Sequence, residues 1–162
     1  MKRLAALPTM TVTTKGYEMV SPVVELLMNT KKPPFDNIKV RQAVSYAVNR
    51  KFAIDNIWFG FGQPATGAIS SNFKASGLYT DKVRNYSVPN SVELANKLLD
   101  EAGFPRKADG TRFEIVHDIT PYGEEWQRFG EAVQQQLAQV GIKSTLRYED
   151  VATWLKRTYT DY

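Results

Sequence analysis

The stretch from Lys31 to Ile69, KKPPFDNIKVRQAVSYAVNRKFAIDNIWFGFGQPATGAI, constrains the fold more than any other part of the chain. Its Pro33-Pro34 pair forbids both a helix interior and a central strand, because proline lacks an amide proton and fixes φ. Directly after it, Asp36 or Asn37 offers a side-chain oxygen to the free amides of a helix start. Ile38, Val44, Ala47 and Val48 then recur at helical spacing, with Arg41, Gln42 and Ser45 between them, and this predicts an amphipathic helix. A second short helix is expected over Lys51 to Trp58, with Phe52, Ile54, Ile57 and Trp58 turned inward. Gly60 to Ser71 (GFGQPATGAISS) holds three glycines and a proline, which rules out a regular element and predicts a shaped loop.

Composition bounds what such a chain can be. At 162 residues it is long enough to bury a core, and one domain is expected. Hydrophobic residues are 43% and charged residues 23%, the balance of a soluble globular protein. No apolar run approaches the ~18 residues of a membrane span. The 21 Lys and Arg exceed the 17 Asp and Glu by four, but the excess is scattered and forms no basic stripe, so a nucleic-acid partner is not expected. The absence of cysteine excludes thiol catalysis, disulfides and thiolate metal sites, and it suits an oxidising compartment. Met1-Lys2-Arg3-Leu4 looks like the charged start of a secretion signal. The apolar stretch of ~7–15 residues that should follow is interrupted by Pro8, Thr9, Thr11, Thr13 and Thr14, so Met1 reads as a start codon or an introduced boundary.

Outside that stretch the pattern alternates between strand and helix. Met10 to Thr14 alternates like a short strand, and Val23 to Asn29 (VVELLMN) reads as a buried one. Phe73 to Pro89 is polar and irregular. Asn90 with Glu93 has the spacing of a capping box and opens a helix running to about Glu101, which packs Leu94, Leu98 and Leu99; Gly103 suits a left-handed cap behind it. Asp109-Gly110 is a turn, and Phe113 to Val116 a strand. Glu124 to Val140 is the longest helix, with Trp126, Phe129, Val133, Leu137 and Val140 on one face. Gly141 ends it, Ile142 to Tyr148 is the next strand, and Asp150 caps a final helix carrying Val151, Trp154 and Leu155. Strand, helix, strand in this order implies a βαβ crossover and a mixed, largely parallel sheet flanked by helices, an α/β fold. Ligands of open α/β sheets gather at the carboxyl ends of the strands, here the loop His117 to Gly123.

Candidate catalytic chemistry does not converge. His117 is the only histidine, and no nucleophile or base partner is placed beside it. Glu124 and Glu125 fit the first turn of the long helix, where negative charge complements the macrodipole. GFGQPATG lacks the lysine of a phosphate loop and the spacing of a dinucleotide turn. No histidine pair or acidic cluster has metal spacing, so no metal, cofactor or catalytic residue is expected. Trp126, Phe129 and Trp154 fit helix faces. Tyr122, Phe61 and Trp58 lie in or beside loops, where an aromatic ring can stack on a ligand.

Nearly all of Val20 to Asp161 resembles the C-terminal lobe of the extracytoplasmic solute-binding proteins of peptide- and nickel-type (family 5) ABC importers. The resemblance is carried by Asn29 to Pro34, Phe35-Asp36, and the helix residues Val40, Arg41, Ala43, Tyr46, Ala47, Asn49 and Arg50. It continues through Gly60, Gly62 and Pro64, LANKLLDEAGFP (Leu94 to Pro105), Asp109-Gly110, QVGIK (Gln139 to Lys143) and TWLKR (Thr153 to Arg157), in that order and at those spacings. It implies that residues 1–162 are a single α/β lobe, half of a ligand cleft, without the large N-terminal lobe and without the aromatic- and aspartate-containing loop that follows in the family. It also implies a periplasmic or extracytoplasmic location, a peptide or other small solute as ligand, and an ABC permease in the membrane as partner.

Thr120 and Tyr122 are the first candidates for ligand contact, and Phe61 and Gln63, on the glycine-rich loop, the second. Arg41 and Asn49 are expected to be structural, fixing their helix against neighbouring carbonyls. Short-peptide binders of this family often carry an arginine in the loop after the Phe113 strand. Ile119-Thr120-Pro121-Tyr122-Gly123 has none, which suits a longer peptide held by its backbone, or a sugar on Tyr122. The alternative is a stand-alone interaction domain that keeps the lobe fold and binds no transport ligand.

Overall fold

The computed structural model describes residues 2–13, 15, 16 and 20–161. The chain divides into two compact units, one of residues 1–25 and 65–84, the other of residues 26–64 and 85–162. The first unit contains α1 (Lys2–Ala5) and a 3-10 turn, Ser71–Phe73. Local polar contacts shape it: Asn72 donates to the Ser21 hydroxyl at 2.7 Å, and the Thr66 and Tyr79 hydroxyls lie 3.0 Å apart. None of its described residues is buried. The strand expected at Met10 to Thr14 is not formed over residues 10–13, and Thr14 lies outside the described residues.

The second unit is the α/β body. Asn37 caps α2 (Ile38–Ala47) by accepting the Lys39 amide at 2.9 Å, and Asn49 caps α3 (Arg50–Asn56) by accepting that of Phe52. After them come α4 (Ser91–Glu101), β1 (Phe113–Asp118), α5 (Glu124–Gln139), β2 (Ile142–Arg147) and α6 (Val151–Tyr159). The strands β1 and β2 pair in parallel, Phe113 against Ile142 through Asp118 against Arg147, with α5 as the crossover. The expected α/β class and the parallel pairing are therefore both present.

The core forms where three helices meet one face of this sheet. Val40, Ala43, Val44 and Ala47 of α2, Ala95 and Leu99 of α4, and Val133 and Leu137 of α5 close on Val140 and Ile142. The buried Val, Leu and Ile side chains contribute about 1.5–3 kcal/mol each relative to exposure, and the alanines less. Arg41 holds α2 as expected, donating to the carbonyls of Phe35 and Asp36 at 2.7 and 2.9 Å. Asn49 acts differently: its side chain meets an amide, and its own N–H donates to Gln136 of α5 at 2.8 Å. Gly103, at φ +85°, closes α4, with the Phe104 amide returning to Leu99 and that of Gly103 to Asp100.

Four local expectations are corrected. Val23 to Asn29 is not a paired strand; Leu26 and Met28 pack on the core while Leu27 is exposed, so the period of two is present without a neighbouring strand. Phe52 points outward, because Ala53 and Ile57 take the inner face of α3. Asn90 stands at the start of α4 but makes no side-chain cap bond, its backbone (φ −97°, ψ 28°) not being the extended form that aims the side chain at the amides. His117 and Asp118 belong to β1 rather than to the loop. The final helix forms behind its Asp150 cap as expected; on it Trp154 is buried and Val151 and Leu155 are exposed.

Candidate functional site

The carboxyl end of β1 is tied down just before the candidate loop. The Ile119 amide donates to the Arg147 carbonyl at 2.9 Å, extending the ladder by one bond, and the Ile119 side chain is buried. Thr120 is half-buried, and its carbonyl accepts the Tyr122 amide at 3.0 Å, which turns the chain outward. Tyr122 is 57% exposed, with one ring edge against Trp154 of α6, centroids 5.8 Å apart; Trp154 in turn meets Tyr159 at 5.9 Å. Gly123, at φ +127°, reverses the chain into α5.

The glycine-rich loop comes to the same end of α5. Behind α3 the Trp58 amide returns to Ala53 and the Gly60 amide to Ile54, while Phe59 and Gly60 both take positive φ, +55° and +83°. A left-handed phenylalanine costs about 1 kcal/mol or more, so this turn is held by its surroundings. Those surroundings are Trp58, which packs at 5.1 Å on Phe129 and at 6.2 Å on Trp126, the third residue of α5. The Trp58 carbonyl accepts the Phe61 amide at 2.8 Å, and the Phe61 and Gln63 side chains are both exposed. Thr120 and Tyr122 thus lie on the segment that enters α5, and Phe61 is hydrogen-bonded to Trp58, which packs on the first turns of that helix.

Charge is sparse here. Residues 119–127 contain no Lys or Arg, and Glu124 is paired with Arg128 at 2.5 Å, one turn along. Asp118 pairs with Arg147 at 2.9 Å across the ladder. His117 lies on the inner face of the sheet, its Nδ1 buried without a hydrogen-bond partner, and burial lowers its pKa more than neighbouring Asp118 raises it. Among the described residues no group of three or more His, Cys, Asp or Glu is placed to hold a metal ion. The groups presented here are the exposed Tyr122, Phe61 and Gln63 side chains and the half-buried Thr120.

Residues 9–162 match the family described as bacterial extracellular solute-binding proteins, family 5 (middle). The chain belongs to this family. Among its curated relatives are heme-binding protein A of Haemophilus influenzae, 33% identical over 83% of this chain and 24% of that protein, and the glutathione-binding protein GsiB of Shigella flexneri, 34% identical over 76% of this chain and 22% of that protein. The solved structure of HbpA2 from Haemophilus parasuis superposes with a TM-score of 0.68 at 30% identity, over 80% of this chain and 24% of that one. The family-5 chain therefore spans about a quarter of the length of the relatives it matches. These relatives are named for what they bind, not for a reaction.

Sequence reasoning missed four contributors to the site. Trp154 reads as core from its helix position, yet it is also the rest for Tyr122. Trp58 reads as a loop aromatic, yet it joins the glycine-rich loop to α5. Ile119 and Gly130 carry no polar signal at all. A glycine in the middle of the longest helix, where alanine would be favoured by about 1 kcal/mol, was the one available hint.

Proposed function

We propose that this chain is one lobe of the solute-binding component of an ABC importer, and that its strand-end and glycine-rich loops form one wall of the ligand cleft. The observation that carries this reading is that the Tyr122 segment, its ring resting on Trp154 of α6, leads directly into α5, on whose first turns Trp58, hydrogen-bonded to Phe61, also packs. Thr120 and Tyr122 are the principal ligand contacts; Phe61 and Gln63 extend the wall. The solute is of the peptide or oligopeptide class. The Thr120 hydroxyl suits a peptide's neutral main chain, while the exposed Tyr122 ring packs on its apolar parts. The naming of one relative for glutathione, a tripeptide, supports this class.

In the whole protein a second lobe closes over this wall by a hinge motion and buries the solute, and the closed form is what a membrane permease recognises. The location is extracytoplasmic. The chain catalyses no reaction: it works by holding and releasing. One lobe alone keeps about half of the contacts, so its affinity is weak, on the order of millimolar.

Amide chemical-shift mapping of the 162-residue chain with millimolar glutathione and trialanine tests this. Perturbations are expected at residues 119–123 and 60–64 and should be lost in Tyr122→Ala. Perturbations confined to other surfaces, or none with either peptide, would overturn the peptide reading. A tight protein partner from an extracytoplasmic extract with no peptide response would favour the stand-alone interaction domain instead.

A further inference from the structure

Gly130 lies in the middle of α5, and its backbone is not in the left-handed region, so conformation alone does not call for glycine there. Space does. A Cβ at this position would stand 2.1 Å from Ile119 Cδ1, 3.3 Å from Ile119 Cγ1 and 4.0 Å from His117 Cε1. The tip of Ile119 therefore fills a notch that any side chain on residue 130 would occupy. Ile119 is only 3% exposed, and its neighbour Thr120 begins the candidate ligand loop. The depth to which Ile119 enters the notch sets the height of that loop over α5. It thereby sets the reach of the Tyr122 ring, whose edge rests on Trp154.

We propose that Gly130 and Ile119 are a positioning pair for solute recognition: without touching the solute, they fix where Thr120 and Tyr122 stand. This rests on the cleft-wall reading above. It predicts that the volume shared by residues 119 and 130, rather than either residue alone, determines how the loop meets a ligand. Binding sites need their contact groups held to within about half an ångström, and a methyl group in this notch forces the Ile119 tip to move.

The test is a cycle of Gly130→Ala, Ile119→Val and the double variant, in which valine lacks the Cδ1 atom that the methyl group introduced by Gly130→Ala would strike. Two readouts are taken on the whole 162-residue chain. One is the ring-current shift between Tyr122 and Trp154 without ligand; the other is the shift titration with glutathione. Gly130→Ala should move the Tyr122 and Trp154 signals and raise the apparent Kd about threefold or more. The double variant should restore both. If Gly130→Ala lowers only the melting temperature and leaves both readouts at their parental values, or if the double variant restores neither, the proposal is overturned. Should Gly130→Ala not fold, Ile119→Val must still shift the Tyr122 signals, since it leaves the notch part empty; unchanged signals would overturn the proposal. If even the parent chain ignores glutathione, the peptide reading fails by itself, and the ring-current readout still decides the proposal.

Discussion

Arg112 shows how much one residue can organise without any role at the site. Its guanidinium is buried and donates to the carbonyl of Val140 at 3.0 Å, to Asn96 at 3.0 Å, to Asp100 at 2.5 Å and to the carbonyl of Phe104. It thus satisfies the carboxyl ends of α4 and α5 together, and Arg106 adds bonds to Gln139 and Gly110 from outside. Arg112→Met should destabilise the chain by about 3 kcal/mol in urea unfolding, because carbonyls at two helix ends lose a charged donor. His117 is the second residue-scale case. Burial holds its folded pKa below the ordinary 6.5, so the unfolded chain binds the proton more tightly. Stability is then complete above about pH 6.5 and falls as pH drops through that value toward the folded pKa. The depressed carboxylates Glu101, Asp109, Glu149 and Asp150 act only lower, below ordinary values of 3.8–4.5. Melting temperature should therefore decline between about pH 7.5 and 5.5, and His117→Gln should flatten that decline. An unchanged slope in the variant would refute the assignment.

At the scale of elements, local chemistry and tertiary packing divide the work unevenly. The start of α6 is written locally: Asp150 accepts the amides of Ala152 and Thr153 at 3.0 and 3.1 Å, and the Thr153 hydroxyl at 2.6 Å. Since α6 buries only Trp154, its stability leans on this cap, and Asp150→Ala should lower the melting temperature and raise amide exchange across residues 151–159 first. The start of α4 is the opposite case, where the Asn90–Glu93 spacing suggests a box that the side chain of Asn90 does not make. The helix forms there because Ala95 and Leu99 pack against α2, not because its first turn is capped. Val23 to Asn29 fails as a strand for a related reason. A strand is a relation between two segments, and a favourable run of residues cannot supply its neighbour.

For the whole molecule, the consequence is a small sheet with one face covered. Phe113, Ile115 and Ile142 meet the helices, while Val116 on the opposite face is 51% exposed among the ion pairs Glu114–Lys143 and Asp118–Arg147. Among the described residues both strands are sheet edges, and uncovered strands and exposed apolar faces promote association. Sedimentation over a roughly tenfold concentration range should show self-association of this chain that Val116→Lys reduces; no change with concentration would remove the argument. Period and punctuation were enough to locate nearly every helix, the parallel strand pair and the loop at its carboxyl end. These signals reside in single segments: apolar spacing, caps, and glycines such as Gly103 and Gly141 that accept a left-handed turn without steric cost. The resemblance in residue order was likewise legible, and it named the family. Tertiary structure alone decided which side chains share space: Ile119 in the notch of Gly130, Tyr122 on Trp154, Trp58 on Trp126, and Arg112 under two helix ends. Each of these contacts joins residues through geometry that no local pattern encodes, because the same apolar or charged residue reads alike on a helix face whether it faces solvent, a core or another element's exposed carbonyls.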